Sequence, residues 1–276
     1  MIDLHAHLLP AIDDGPETLE GSVALARAAA ECGTKVMTAT PHLRADHPGV
    51  RVHELAERCH ALGDAVGSAG IPIKVVPAAE VDLLWAYAAS CEQLQLATYG
   101  QRGTDLLLET PYGPLPPNFG SLVMRLTERG VRVLLAHPER NLTVQRNPRL
   151  VVDLVARGVL VQLTAMSLTR ASKGSPAQRA AIWLLEQGAG HVIASDAHSA
   201  GPWRGPDLRA AAGRVDSVAP AQAEWMTHEV PHAVLAGEPL PPSPVASAAG
   251  GTLRRLGSKR SVGRMLSATL GSRAAS

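Results

Sequence analysis

The sequence predicts an α/β protein: a distorted, seven-stranded β/α barrel of the TIM-like kind, with a metal site at the C-terminal strand ends and a flexible C-terminal tail. Three observations predict it. Short β-branched or apolar runs alternate with helix-like stretches. Several helical stretches stop at a glycine just before the next run, the rhythm of parallel strands joined by right-handed crossovers. Six of the seven runs end in His, Asp or Glu. An open parallel sheet gathers its site at one switch point. A closed ring brings every strand end to one mouth, and ligands on six ends call for the ring.

The elements follow in order. The first run, Ile2-Asp3-Leu4, leads into His5-Ala6-His7, with Asp13-Asp14-Gly15 beyond; a helix is expected over 18–32, stopped by Gly33. The second run, 35–39, leads to Thr40-Pro41-His42, and a helix over 52–69 ends at Gly70. The third, 73–77, leads through Ala78-Ala79 to Glu80; the fourth, 105–109, ends on Glu109. Helices over 118–129, 148–157 and 176–187 stop at Gly130, Gly158 and Gly188. They precede runs at 132–136 (ending at His137), 159–163 and 191–194 (ending at Asp196-Ala197-His198). Glycine suits such stops because it enters the left-handed region freely.

At 276 residues and 46% hydrophobic, the chain can bury one sizeable core. Aromatics are only 3%, so Val, Leu, Ile and Ala must fill it. Residues 1–239 carry 20 basic against 25 acidic side chains, a net −5, which offers no nucleic-acid face. From Pro239 the texture becomes Pro/Ala/Ser/Gly-rich, with six basic residues and no acid. The chain therefore divides into a barrel over 1–239 and a basic tail over 240–276, expected to be disordered. That tail could make weak electrostatic contact with an acidic partner or a membrane surface. No secretory leader and no apolar run long enough to span a bilayer are seen. Cys32, Cys59 and Cys91 lack any paired spacing and read as reduced thiols, so a cytoplasmic location is expected.

Imidazoles and carboxylates at one mouth suit Mn²⁺, Fe²⁺ or Zn²⁺ in hydrolytic chemistry, and the absence of Cys from the set excludes a thiolate structural zinc site. His5 and His7, two apart on a strand, project to the same face. The string from His5 to Pro16, HAHLLPAIDDGP, resembles the opening of bacterial manganese-dependent tyrosine phosphatases encoded with capsular-polysaccharide export systems, within the PHP (polymerase and histidinol phosphatase) superfamily. The resemblance continues through Thr40-Pro41-His42, Ala79-Glu80, Leu108-Glu109-Thr110-Pro111, Ala136-His137-Pro138-Glu139-Arg140 and Ser195-Asp196-Ala197-His198, and covers residues 1 to about 238.

That resemblance implies a trinuclear site, most simply of Mn²⁺. His5, His7, Glu80 and Asp196 would hold one ion; Glu80 would bridge to a second, held also by Glu109 and His137. Asp14, His42 and His198 would hold the third. Arg140 and Arg204 would bind phosphate oxygens, a task suited to the guanidinium fork. Asp13 is read as an outer partner or turn residue, and Gln162 and Thr164 as wall or outer partners. Met166 stands where relatives often have glycine, which leaves pocket shape open. His47 lies in the loop after His42, near enough to touch substrate. Tyr112, Phe119 and Trp203 sit in or beside mouth loops, to stack on a ring or pack at the rim.

A thiolate phosphatase needs Arg six positions after its Cys; Thr38, Ala65 and Ala97 stand there instead. The resemblance implies a protein-tyrosine phosphatase acting on a bacterial tyrosine kinase of capsular or exopolysaccharide synthesis. Two alternatives stay open: a small-molecule phosphomonoesterase of the histidinol-phosphate type, and a non-catalytic metal-binding regulatory module. Asp14, where many small-molecule relatives carry His, favours the first reading, and nine complete ligands argue against the last.

Overall fold

Every strand pairing among the described residues is parallel. The computed structural model describes residues 1–244. Nine strand segments form two sheets. One has β1 (Ile2–Ala6), β2 (Val36–Ala39) and β4 (Lys74–Pro77) in the order β1-β2-β4. The other runs β3 (His42–Leu43), β5 (Glu80–Val81), β6 (Asp105–Glu109), β7 (Arg132–Ala136), β8 (Leu160–Thr164) and β9 (Val192–Ala194).

Seven strands in one closed ring were expected; nine segments are found, divided between two sheets, with the second and third expected runs each cut in two. β2 and β3 are separated by Thr40-Pro41, and β4 and β5 by Ala78-Ala79. Pro41 has no N–H to give to a ladder. Main-chain bonds nevertheless bridge the gap: Ala78 donates to Ala39 (3.0 Å) and Glu80 to Pro41 (3.1 Å). At the remaining edges, Asp196 N donates to the His5 carbonyl and His7 N to the Ala197 carbonyl, both at 2.8 Å, beside an isolated parallel bridge between Ala6 and Ala197. The ends of β1 and β9 are thereby tied where the site residues lie.

The helices are α1 (Leu19–Glu31), α2 (Leu55–Ser68), α3 (Leu83–Ala88), α4 (Cys91–Ala97), α5 (Phe119–Thr127), α6 (Leu142–Arg146), α7 (Arg149–Val155), α8 (Ala165–Leu168), α9 (Pro176–Glu186), α10 (Leu208–Val218), α11 (Gln222–Glu224) and α12 (Val230–Ala236). All five expected helices are found within a few residues of their expected ends. Thr18 caps α1 by accepting from Gly21 N at 3.1 Å, and Gly33, at φ 92°, reverses the chain into β2. The unexpected helices are mostly short. α3 and α4 span six and seven residues, too few for a clear helical period, and each is started by a local cap from Asp82 or Ser90.

β6 and β8 are buried along their whole length, as parallel strands covered on both faces must be. With few aromatics available, Leu, Val, Ile and Ala do supply the core. A fully buried side chain of this kind contributes about 1.5–3 kcal/mol. Tyr99 is the exception among the fully buried side chains, and its hydroxyl is satisfied by the Leu4 carbonyl at 2.9 Å. The packed domain extends past the expected boundary at 239: Leu240 packs against the core and Trp225 Nε1 donates to the Pro241 carbonyl at 3.3 Å. No helix among the described residues is long and apolar enough to cross a membrane. The tail from residue 245, expected to be disordered, lies outside the described residues.

Candidate metal centre

The strand ends deliver all nine expected ligand residues to one place. His5 and His7, at the end of β1, are fully buried; Glu80 opens β5, Glu109 closes β6, and His42 opens β3. His137, Asp196 and His198 follow β7 and β9, and Asp14 comes from the loop after β1. Possible ligand atoms fall into four overlapping groups: His7/Asp14/His42/His198, His5/His137/Asp196, His5/His7/Glu80 and His42/Glu80/Glu109. This division differs from the expected partition in three places. His7 also groups with Asp14, His42 and His198. His137 groups with His5 and Asp196, and His42 stands between Asp14 and the Glu80–Glu109 pair.

The spacing fits divalent ions. His5 Nε2 and His7 Nε2 lie 3.3 and 3.4 Å from Glu80 Oε2, and both lie 3.5 Å from Asp196 Oδ1. His42 Nδ1 is 3.1 Å from Glu80 Oε2, and His198 Nε2 is 3.1 Å from Asp14 Oδ1. Ligands each about 2.1 Å from one ion stand roughly 3.0–3.4 Å apart. The second test is satisfaction. His5 Nε2, His7 Nε2, His42 Nδ1 and both Glu80 oxygens are buried and accept or donate no hydrogen bond. Buried polar atoms left unpaired cost about 1–3 kcal/mol each, more when charged. Divalent cations shared among these groups would satisfy them. The residues present fit the group.

The opposite nitrogens are held by other side chains. His7 Nδ1 meets Asp13 Oδ2 at 2.7 Å, and the same oxygen accepts from His42 N at 3.2 Å. Asp13 is therefore an outer partner, as expected. His5 Nδ1 meets Gln162 Oε1 at 3.1 Å, and that oxygen also accepts from His137 N at 3.2 Å. Such contacts fix which ring nitrogen faces the metal. Gly15 closes the loop: a Cβ there would stand 2.5 Å from the His7 carbonyl oxygen.

Charge is arranged to match. Burial opposes ionisation of Glu80 and Asp196, but the His5 charge, with His137 and His42 for Glu80 and with His7 for Asp196, holds both carboxyls well below the usual range. Burial also works against charge on His7, yet Asp13, Asp196 and Glu80 raise its pKa well above the ordinary value. Glu109 is pushed up by burial and by Glu80. His137, Asp196 and Arg204 all adopt left-handed backbone at φ 36°, 54° and 51°. Such strain costs about 1–3 kcal/mol per residue and concentrates at functional sites.

Arg140 binds Asp196 through Nη1; Arg204 donates to Asp14 Oδ2 at 3.0 Å and also contacts His198. Both reach the rim of the cluster. His47 stacks on His42 with centroids 5.0 Å apart. Trp203 and Tyr112 are exposed at 72% and 60%, while Phe119 is buried in the core and is unavailable to a ligand. Three residues escaped the sequence reading. Arg44 donates to Glu109 Oε1 at 2.8 Å and lies 4.7 Å under the Tyr112 ring. Asp3, fully buried, accepts from Ser195 N at 3.0 Å. Glu139, also fully buried, accepts from Thr164 N at 3.0 Å. Glu139 could have been found, because it sits inside the block from Ala136 to Arg140. Asp3 was hidden by its place within an apolar strand run.

Parallel strands converging nine imidazoles and carboxylates define a class: α/β proteins with a candidate multi-metal centre at the strand ends. The chain matches the family model described as capsular polysaccharide synthesis, CpsB/CapC, over residues 1–235. It is 33% identical over 202 residues to the tyrosine-protein phosphatase YwqE of Bacillus subtilis, covering 72% of this chain and 78% of that protein. It is 25% identical over 199 residues to the putative tyrosine-protein phosphatase CapC of Staphylococcus aureus, covering 72% and 77%. A solved structure of the pair YwqE from Bacillus subtilis and CpsB from Streptococcus pneumoniae, described as unique metal-dependent tyrosine phosphatases, matches with a TM-score of 0.78 at 28% identity, covering 88% of this chain and 98% of that one. The chain belongs to the CpsB/CapC family.

Proposed function

We propose that this protein is a metal-dependent protein-tyrosine phosphatase whose substrate is a phosphotyrosyl protein, a bacterial tyrosine kinase of capsular or exopolysaccharide synthesis. The observation that carries it is the cluster of buried, unpartnered ligand atoms around Glu80 in a chain of this family. The seven interrupted strands form one distorted barrel ring, a reading supported by the hydrogen bonds between the ends of β1 and β9. The nine residues hold three divalent ions, with Mn²⁺ first and Fe²⁺ or Zn²⁺ as alternatives. The reaction is placed in the cytoplasm, where free thiols such as Cys32, Cys59 and Cys91 persist.

Bound divalent ions would supply Lewis acidity and an activated water near neutral pH. The protein's own part is positional and electrostatic. Asp13 and Gln162 aim His7 and His5 by holding their Nδ1 atoms. Arg140 and Arg204 place guanidinium groups at the rim, where each can bind two phosphate oxygens. Arg44 orients Glu109 and supports the exposed Tyr112 ring. A thiol route has no support: burial pushes the Cys59 thiol up to about 12, and all three cysteines lie outside the cluster.

Purified protein supplied with Mn²⁺ and assayed on phosphotyrosyl peptide, histidinol phosphate and a phosphoseryl peptide tests the reading. Preference for the phosphotyrosyl peptide is expected. Preference for histidinol phosphate would establish the small-molecule alternative, and no turnover of any would establish a regulatory module.

A further inference from the structure

A cleft of about 1380 Å³ has Arg204 in its wall and none of the nine cluster residues, and apart from Arg204 the chemistry above uses none of its lining. Its walls come from the C-terminal half of α1, the segment joining β8 to α9, the loop after β9, and one face of α10. Arg204 belongs to the cleft wall and also reaches Asp14 and His198, so this one side chain borders both the cleft and the cluster.

We propose that this cleft binds the polypeptide segment flanking the phosphotyrosine, giving the enzyme a peptide-recognition surface beyond the phosphate site. The inference rests on the phosphatase reading above. Three observations favour an extended polypeptide as occupant. First, the volume exceeds the roughly 300–1,000 Å³ of small-molecule pockets. A phosphotyrosyl group seated on the cluster leaves the cleft free, and an extended chain advancing about 3.3–3.6 Å per residue occupies it with several residues. Second, small side chains such as Ala28, Ala210 and Gly213 line it, which lets another backbone approach closely. Third, both charge signs are present, Glu31 and Asp207 with Lys173 and Arg214. A single-sign field would suit a nucleic acid or an anionic bilayer; this mixture suits a polypeptide of mixed charge. Trp203, largely exposed, lies in sequence between Pro202 and Arg204, both of which line the cleft.

Gly213→Trp tests the proposal. Gly213 lies within α10, and a Cβ built there meets no atom within 4 Å, so the indole enters open space. Ala210→Trp, one turn earlier on the same face, is the second variant. Each full-length variant, loaded with Mn²⁺, is compared with wild type on a phosphotyrosyl peptide of about ten residues and on para-nitrophenyl phosphate. KM for the peptide should rise about tenfold or more with kcat near wild type, while para-nitrophenyl phosphate turnover stays within about twofold. Unchanged peptide KM in both variants overturns the proposal. So does an equal loss on both substrates, because the cleft would then serve the centre and not the peptide. Wild-type activity on para-nitrophenyl phosphate with none on the peptide would instead defeat the tyrosine-phosphatase reading itself.

Discussion

At the scale of single residues, Glu80 is the point on which the centre converges. His5, His7, His42 and His137 each bring a ring nitrogen within 3.4 Å of its oxygens. Removing it leaves four imidazoles facing one another without a shared anion. Glu80→Ala should lower bound metal, and its loss of activity should exceed the roughly 10–100-fold typical of outer partners. On the proposed phosphate role of Arg140, Arg140→Ala should leave metal content near wild type while KM rises or kcat falls. Metal analysis and peptide kinetics on the same preparations separate the two roles; metal lost from Arg140→Ala would place that residue among the ligand supports. Eight of the nine clustered positions were legible because they sit at or just beyond the end of an apolar run, whereas Asp14, in the loop after β1, was placed by the family resemblance. Arg44 was not legible, since its partner Glu109 lies 65 positions away and only the folded chain brings them together.

At the scale of elements, the strand-and-glycine rhythm was readable because parallel strands buried on both faces are continuous apolar runs. The breaks at Thr40-Pro41 and Ala78-Ala79 were less so: sequence shows a strand, not the twist that divides it. The later helices were hidden for another reason. Between α10 and α12 the chain passes through the short α11 and a π-turn over Trp225–Glu229, and such pieces carry no sustained period. His191, just before β9, belongs to this region. Its Nδ1 accepts from Val161 N of β8 at 3.2 Å, and its ring faces Trp225. Burial lowers its pKa to about 4, from an ordinary value of 6.5. The unfolded chain therefore binds a proton that the folded chain refuses, so this contribution to stability is full above pH 6.5 and is lost as pH falls toward 4. His191→Asn keeps an acceptor but cannot titrate there. Melting temperatures of both proteins in EDTA, from pH 7.5 to 4.5, should fall less steeply for the variant; parallel curves would mean that His191 is not the group responsible.

At the scale of the whole molecule, composition foretold the core's character but not the domain's edge. The texture change at Pro239 suggested a boundary there, yet packing by Leu240 and the bond from Trp225 to Pro241 carry the fold a few residues further. Proline-rich sequence and packed structure overlap because proline needs no N–H partner. Deleting 245–276 should leave turnover of a small aryl phosphate within about twofold, since every residue of the centre precedes Gly205. The same truncation should weaken binding to anionic vesicles if the six basic tail residues act at a membrane, an effect screened over about 8 Å at physiological salt. A collapse of small-substrate turnover would show that the tail supports the fold. The central claim is that the nine clustered residues hold divalent ions that hydrolyse phosphotyrosine. Its most direct test is a Mn²⁺ titration of chelator-stripped protein, counting ions bound per chain while following phosphotyrosyl-peptide turnover in the same sample. The account predicts no turnover without metal and full turnover as occupancy approaches three; full turnover in the stripped protein, or saturation of activity with no metal bound at this cluster in Glu80→Ala, would contradict it.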